Sequence, residues 1–320
     1  MLYTRPHHQP VMCFSHILSA KRIPEPSAVG AALGSASRVE PGQSAHPHAF
    51  IFVHGFLGNP LDLRLVRDHI FMLNPNILTL LSASNQDRTY DDLAEQGHRL
   101  ACEVVEQLEV WFGEESPHNR HLDKLSFVGH SIGNLIIRSC LADPVMEPYL
   151  KYLNTFLSIS GPHLGYLYST NTLFDSGIWF LKSFKRSQCL YQLTFTDASK
   201  MHDCYLYKLC ASKCFELFDN VILVASPQDG YVPLHSSRIT KCPAASKDGK
   251  RGLAFNQMLT NLMGPAARGM TRVVRADVHF PYSKVPKSFN SVVGRAAHLE
   301  FLEVDIYMRF LLWTYRKFFL

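Results

Sequence analysis

The stretch LSFVGHSIGNLIIR, from Leu125 to Arg138, decides how the rest of the chain is interpreted. Its first four residues form a short apolar run with the length of a buried strand, and Leu135 to Ile137 begin a helical segment. Between them, GHSIG matches the G-x-S-x-G pattern of a sharp turn that exposes a nucleophilic serine between a strand and a helix. The two glycines leave room for such a strained turn. We therefore predict that Ser131 is a nucleophile.

Five further apolar runs have the length of buried strands. They are residues 50–53, 77–81, 155–160, 221–225 and 271–274. Helices are predicted at about 61–72, after a cap at Asp91 or Asp92, and from Leu299 to about Arg316. Because continuous apolar strands that alternate with helices are typical of parallel sheets covered on both faces, the chain is predicted to form a doubly wound α/β sheet.

Composition argues against several classes of protein. Of 320 residues, 47% are hydrophobic and 18% are charged, which describes a soluble globular protein. The net charge of +5 is modest and no long basic block is present, so nucleic acid is not an expected partner. No apolar run reaches the ~18 residues of a transmembrane helix. The run from Val11 to Ala20 lacks the basic head of a signal peptide.

The eight cysteines are scattered, and none belongs to a C-x-x-C pair. This distribution favours reduced thiols in a reducing compartment, so we expect an intracellular, cytoplasmic location. Cys204, Cys210 and Cys214 lie near His202, but their spacing fits no usual zinc pattern. No metal is therefore expected.

Two segments differ from the alternating pattern. Residues 1–46 contain five prolines and no sustained periodicity, which predicts a disordered leader before a domain at 47–320. About 55 residues lie between Gly165 and Asn220. Connections in α/β units usually need only ~2–6 residues outside their helix. This excess predicts a helical cap insertion at about 166–219.

The insertion contains a group of aromatic side chains that includes Trp179, Phe180 and Phe184. Basic residues lie beside them, at Lys182, Lys185 and Arg186. In one interpretation the aromatic residues form an extra helix packed in the core. In the other they form a lid over the serine and line the substrate site. Basic residues beside an apolar segment are typical of contact with an anionic membrane, so the lid and a peripheral membrane contact are the favoured expectation.

An activated serine needs a base within hydrogen-bond reach and an acid that orients the base. In this class of fold the chain order is serine, acid, histidine. Asp229, in the turn after the run 221–225, is the predicted acid, whereas Asp219 precedes that strand and belongs to the opposite end of the sheet. His298 directly precedes the closing helix and is the predicted base. His279 follows the last strand candidate and is the alternative.

An oxyanion hole needs two N–H groups that converge on the developing charge. The N–H of Ile132, directly after the serine, is one predicted donor. The other is the N–H of Phe56, in the glycine turn after the first buried strand. His54 and His130 flank the predicted site. We expect both to be hydrogen-bonded structural residues rather than the base.

Five segments in this order, VHGFLGN, FVGHSIGN, LSISGPHLG, VASPQDGYVP and GRAAH, resemble the lipase-like serine esterases of the α/β-hydrolase superfamily. More closely, they are similar to the C-terminal domain of the eukaryotic proteins called family with sequence similarity one-hundred-thirty-five. The resemblance runs from about His48 to the C-terminus. It implies an α/β-hydrolase fold with a triad of Ser131, Asp229 and His298, and no cofactor. Residues 1–46 resemble no part of those long proteins, so a truncated or alternatively spliced product is expected.

The expected function is hydrolysis of carboxylic esters, with lipid or acyl esters as substrates, through an acyl-enzyme. Two alternatives stay open. A thioesterase or acyltransferase would use the same triad and would differ only in the leaving group or in the acyl acceptor. A non-catalytic interaction module could keep the hydrolase fold, although a complete triad argues against it.

Overall fold

The computed structural model describes residues 11–14, 47–114, 121–169, 187–280 and 298–320. Within these residues, seven strands form one sheet in the order β1-β7-β6-β5-β4-β2-β3. They are β1 (Val11–Phe14), β2 (His48–Val53), β3 (Leu78–Leu81), β4 (Lys124–His130), β5 (Leu153–Ile159), β6 (Asn220–Ala225) and β7 (Arg272–His279). Strands β2 to β7 are parallel, and β1 is antiparallel to β7. The predicted mostly parallel α/β sheet is confirmed.

Helices connect the strands and cover both faces of the sheet. The α-helices given labels are α1 (Arg64–Leu73), α2 (Leu93–Phe112), α3 (Gly133–Leu141), α4 (Gln188–Leu193), α5 (Tyr205–Leu209), α6 (Leu234–Arg238), α7 (Gly249–Arg268) and α8 (Asp305–Thr314). Short 3-10 segments lie at Pro60–Leu63, Pro144–Tyr152, Met201–Asp203, Phe215–Leu217, Ala245–Lys247 and Arg316–Phe318. The cap of α2 is Asp92, whose carboxylate accepts from the N–H of Ala94 at 2.7 Å. This selects Asp92 from the two predicted caps.

Side chains of β2 alternate between two hydrophobic cores, as the period of two in a strand requires. Ala49, Ile51 and Val53 belong to the core that includes buried residues of α2, α3 and α7. Phe50 and Phe52 belong to the core that includes α1 and α8. Full burial of one such side chain contributes about 1.5–3 kcal/mol. The continuous apolar pattern of the strand therefore reflects burial on both faces.

The edge strand β1 is a correction to the prediction. Its four residues lie in the segment predicted to be a disordered leader, and they pair with β7 from Val11 opposite His279 to Phe14 opposite Ala276. Without β1, this edge of β7 would offer unpaired N–H and C=O groups. A short apolar run can supply the missing partners even inside a sequence rich in turn-forming residues. The other residues of 1–46 are not among those described.

The predicted closing helix is present in two pieces. Residues 298–303 are helical, α8 begins at Asp305, and Val304 between them has an extended conformation with φ of −98° and ψ of 99°. In the predicted insertion, the described part at 187–219 contains α4 and α5. Trp179, Phe180 and Phe184, together with the neighbouring basic residues, lie outside the described residues.

Three negative observations apply to the described part of the chain. It contains no helix that is both long and apolar enough to span a membrane. It also contains no group of three or more histidine, cysteine or acidic side chains arranged to hold a metal ion. Its seven cysteines with described side chains are free thiols, and six of them are buried.

Candidate active site

The turn after β4 has the geometry of a nucleophile elbow. Ser131 has φ of 53°, in the left-handed region that costs a non-glycine residue of order 1–3 kcal/mol. A Cβ at Gly129 would lie 2.5 Å from Asn134 Oδ1, and one at Gly133 would lie 2.4 Å from the carbonyl oxygen of Val53. A side chain at either position would force these neighbouring atoms to move. The spacing of G-x-S-x-G is therefore explained by contacts of the elbow with its own helix and with the end of β2.

His298 bridges the serine and the predicted acid. Its Nε2 lies 3.0 Å from Ser131 Oγ, and its Nδ1 lies 2.8 Å from Asp229 Oδ2. Because the carboxylate can only accept, Nδ1–H donates to Asp229, and when the ring is neutral its Nε2 can accept from the serine hydroxyl. His279, the alternative base, is exposed at the end of β7. The geometry favours His298.

Each carboxylate oxygen of Asp229 accepts two hydrogen bonds. Oδ1 accepts from the N–H groups of Tyr231 at 2.8 Å and Val232 at 3.0 Å. Oδ2 accepts from His298 and from the hydroxyl of Ser160. Burial by itself would raise the pKa of Asp229, but the charge of His298 and these hydrogen bonds outweigh it and lower the pKa. The group is therefore held as a buried carboxylate.

His130 contacts the predicted base, His298, from the elbow side. Its Nε2 lies 3.1 Å from the carbonyl oxygen of His298, and the two rings are 4.9 Å apart. Burial, with a smaller contribution from the charge of His298, lowers the pKa of His130 to about 3. The ring is neutral at pH 7, so Nε2–H donates to that carbonyl. His54 Nδ1 contacts the carbonyl oxygen of Gly55 at 3.0 Å. The ring that is hydrogen-bonded to Ser131 Oγ is neither of these two but that of His298.

A cavity of about 460 Å³ opens onto the serine. Ser131 and His298 line it together with Phe56 and Ile132, the residues predicted to form the oxyanion hole. Most of the remaining wall is apolar, from Leu57, Tyr166, Leu190, Leu193, Tyr231, Leu299 and Leu302. The cavity can hold an apolar group next to the serine hydroxyl. The donor role of the Phe56 and Ile132 N–H groups stays a prediction.

Two residues at the site were not found from the sequence. Ser160, after β5, donates to Asp229. Its signal is present in SISGPH, where a serine ends a buried strand before a glycine, but a single hydroxyl does not reveal its distant partner. The side chain of Gln228 exchanges two hydrogen bonds with the backbone of Phe280, at 2.9 and 2.6 Å. No local pattern could have predicted this link between the ends of β6 and β7.

A serine on a left-handed turn after a central strand, with a histidine and a buried aspartate in series, defines the α/β-hydrolase class. The family described as "Putative serine esterase (DUF676)" matches residues 43–243, more than half of the chain, so the chain belongs to this family. The protein is therefore a hydrolase of the serine esterase type. The match includes Ser131 and Asp229, whereas His298 lies beyond it.

Three solved structures are similar to this chain at low sequence identity. The lin2722 product of Listeria innocua is 15% identical, with 83% of this chain and 93% of that chain covered and a TM-score of 0.46. The esterase Pf2001 of Pyrococcus furiosus is 14% identical, with 80% and 83% covered and a TM-score of 0.40. Lipase B of Aspergillus fumigatus is 12% identical, with 62% and 42% covered and a TM-score of 0.41.

Proposed function

We propose that the protein hydrolyses carboxylic esters through an acyl-enzyme on Ser131, with His298 as the base and Asp229 as the acid. One observation supports this proposal above the others. The hydroxyl, the imidazole and the carboxylate form a continuous hydrogen-bonded series, with contacts of 3.0 and 2.8 Å, at the wall of an apolar cavity. Nucleophile, base and orienting acid in this order are what acyl transfer requires.

In the first step, Ser131 Oγ attacks the ester carbonyl while His298 Nε2 takes the hydroxyl proton. The N–H groups of Phe56 and Ile132 are the proposed donors to the resulting oxyanion. When the intermediate collapses, the C–O bond breaks and the alcohol leaves with the proton from His298. Water then attacks the acyl-enzyme with the same histidine as base, which releases the acid and restores Ser131. Asp229 stabilises the imidazolium in both steps.

The proposed substrate class is a lipid or another acyl ester. At about 460 Å³, the cavity falls within the ~300–1,000 Å³ range of sites for small ligands. Its leucine side chains suit a hydrocarbon group, which gains free energy when it leaves water. The same proposal includes a relationship between this chain and the C-terminal domain of the proteins called family with sequence similarity one-hundred-thirty-five. The free thiols support an intracellular location.

We further propose that Trp179, Phe180 and Phe184 belong to a lid that contacts substrate or a lipid surface. The test is hydrolysis of a long-chain ester below and above its solubility limit by wild type and Trp179→Ala. A lid predicts a rise in the wild-type rate when aggregates form, and loss of this rise in a variant that melts normally. A variant that melts far lower with an unchanged rate profile would indicate a packing helix instead.

The esterase proposal is tested by a fluorophosphonate probe together with a series of p-nitrophenyl esters. We expect the probe to label wild type on Ser131, and the esters to be cleaved, with a preference for acyl chains that fill the cavity. Labelling without ester hydrolysis would favour a thioesterase or acyltransferase, which acyl-thioester substrates and added alcohols would then identify. If folded protein takes no probe, the triad is inactive and the interaction module is the better explanation.

A further inference from the structure

Ser160 occupies, after β5, the place that Ser131 occupies after β4. Its φ is 50°, again in the left-handed region, and its side chain is completely buried. Its N–H donates to the carbonyl oxygen of Val224 at 2.8 Å, just as the N–H of Ser131 donates to Ile159 at 2.9 Å. The ends of two neighbouring strands therefore carry serines in the same uncommon conformation, and only one of these serines is the proposed nucleophile.

The backbone conformation of Ser160 costs free energy that glycine would avoid. Gly161 follows it directly, yet the left-handed residue is the serine. A buried residue in a strained conformation persists only when its surroundings hold it there, and such residues cluster at functional sites. The side chain of Ser160 should therefore have a use that compensates for the strain.

The contacts of the Ser160 hydroxyl identify this use. Its Oγ donates to Asp229 Oδ2, the same oxygen atom that accepts from His298 Nδ1. It also lies 3.4 Å from His298 Nδ1 itself. With the two backbone N–H groups on Oδ1, this bond completes the set that fixes the rotation of the carboxylate. Without it, the oxygen that faces the imidazole would keep only the bond from His298.

We propose that Ser160 is a positioning residue, whose hydroxyl holds the Asp229 carboxylate turned toward His298 so that the imidazole stays aimed at Ser131. The inference rests on the proposed ester hydrolysis. Ser160 is not among the residues that line the cavity. Loss of its hydroxyl should therefore slow the chemical step without weakening the binding of substrate.

The test compares Ser160→Ala, Ser160→Gly and Ser158→Ala with wild type, using a p-nitrophenyl ester that wild type cleaves. Ser158 Oγ is also buried and contacts His163 Nε2 at 2.8 Å, so its removal costs a buried side-chain hydrogen bond two residues earlier, within β5. We expect both Ser160 variants to lose about 10–100-fold in kcat, the effect of one hydrogen bond to a charged group, with KM unchanged. Ser158→Ala should keep kcat and lower the melting temperature.

Ser160→Gly separates positioning from stability. Glycine adopts the left-handed conformation without strain, so this variant should melt at or above the temperature of Ser160→Ala and still be slow. Wild-type kcat in both Ser160 variants would overturn the inference and leave the esterase proposal intact. A loss of activity that follows the melting temperature, or appears in KM, would also overturn it. Wild type that neither cleaves the ester nor takes the fluorophosphonate probe would overturn the proposed function, and this inference with it.

Discussion

The two ends of the central sheet both contain buried polar side chains, but they use them differently. At the carboxyl ends, Ser131 and Ser160 have left-handed backbones and their hydroxyls meet the pair of His298 and Asp229 beside an open cavity. Among the described non-glycine residues with positive φ, none lies in a strand and none begins one. Two strained serines therefore lie at the end of the sheet where the chemistry is proposed.

At the amino ends, a buried row of hydrogen bonds crosses four strands. His48 Nε2 lies 2.7 Å from Ser126 Oγ, which also accepts from the N–H of Thr155 at 3.0 Å. Asn220 donates to the hydroxyl of Thr155, and this hydroxyl donates to the carbonyl oxygen of Phe318. The row ties neighbouring strands to one another and to the last turn of the chain. The comparison teaches that buried polar side chains alone do not distinguish the proposed site, whereas buried polar side chains together with backbone strain and a cavity do.

The largest expected effect is that of Ser131→Ala. Loss of the nucleophile of a coupled triad costs about 10⁶ in rate in a well-studied case, so ester hydrolysis should fall to the background level. Because the hydroxyl faces the cavity, the melting temperature should change little. Steady-state rates and thermal melts measure both quantities. Activity above a few per cent of wild type would show that Ser131 is not the nucleophile.

His298→Ala should be almost as severe, because it removes the base that takes the serine proton. His279→Ala is the matched control, since His279 is exposed at the end of β7. We expect the control to retain most of the wild-type kcat/KM. If the two results were exchanged, the assignment of the base would be wrong.

A third comparison uses one aspartate from each end of the sheet. Asp229→Asn should reduce kcat by about 10⁴, because an amide favours the wrong imidazole tautomer. Asp219 lies at the amino end, where its carboxylate accepts from the side chain of Asn154 at 3.0 Å. Asp219→Asn should therefore leave kcat near that of wild type. Equal rates for both variants would remove Asp229 from the triad.

The smallest expected effect concerns stability at the amino end. Burial, assisted by the charge of Lys124, lowers the pKa of His48 from 6.5 to about 3. Between these two values the unfolded chain binds a proton that the folded chain does not, so the free energy of unfolding falls as the pH falls. At pH 4 this group should cost about 3 kcal/mol relative to pH 7. Urea titrations of wild type and His48→Gln at both pH values measure the difference.

The pKa of His130 is also lowered to about 3 by burial. His130 therefore contributes the same loss of stability on acidification to wild type and to His48→Gln. His48→Gln should thus lose less stability than wild type on acidification and keep the wild-type kcat at pH 7. An equal loss in both proteins would mean that His48 titrates normally in the folded state.

Much of the sheet could be predicted because its pattern is local. A run such as Val221 to Ala225 is apolar at every position since both of its faces are buried, and its neighbours on the chain show where it ends. The positions of Ser131, Asp229 and His298 follow from chain order, because parallel strands bring their carboxyl ends to one edge. Local pattern and topology were enough to predict that these three side chains would meet.

What the sequence could not reveal depends on partners that are far away in the chain. The pairing of Val11–Phe14 with β7 depends on a free sheet edge more than 250 residues later. Thr155 and Asn220 are polar residues in apolar strands, and nothing near them shows that they bond to each other. The bond from Ser160 to Asp229 spans 69 residues. Pairings of this kind are decided by the folded sheet and leave no period in the sequence.

The separation of Ser131 and His298 along the chain has a consequence during synthesis of the protein. The two residues are 167 positions apart, so a ribosome that adds ~5–20 residues per second makes the proposed base roughly 8–33 s after the proposed nucleophile. Until then the proposed nucleophile lacks its proposed base, so the nascent chain should not form an acyl-enzyme. Because contacts between distant residues also form slowly, refolding protein should recover its helical signal before its activity. In the proposed mechanism, reactivity is thus delayed until the enclosing domain has been synthesised.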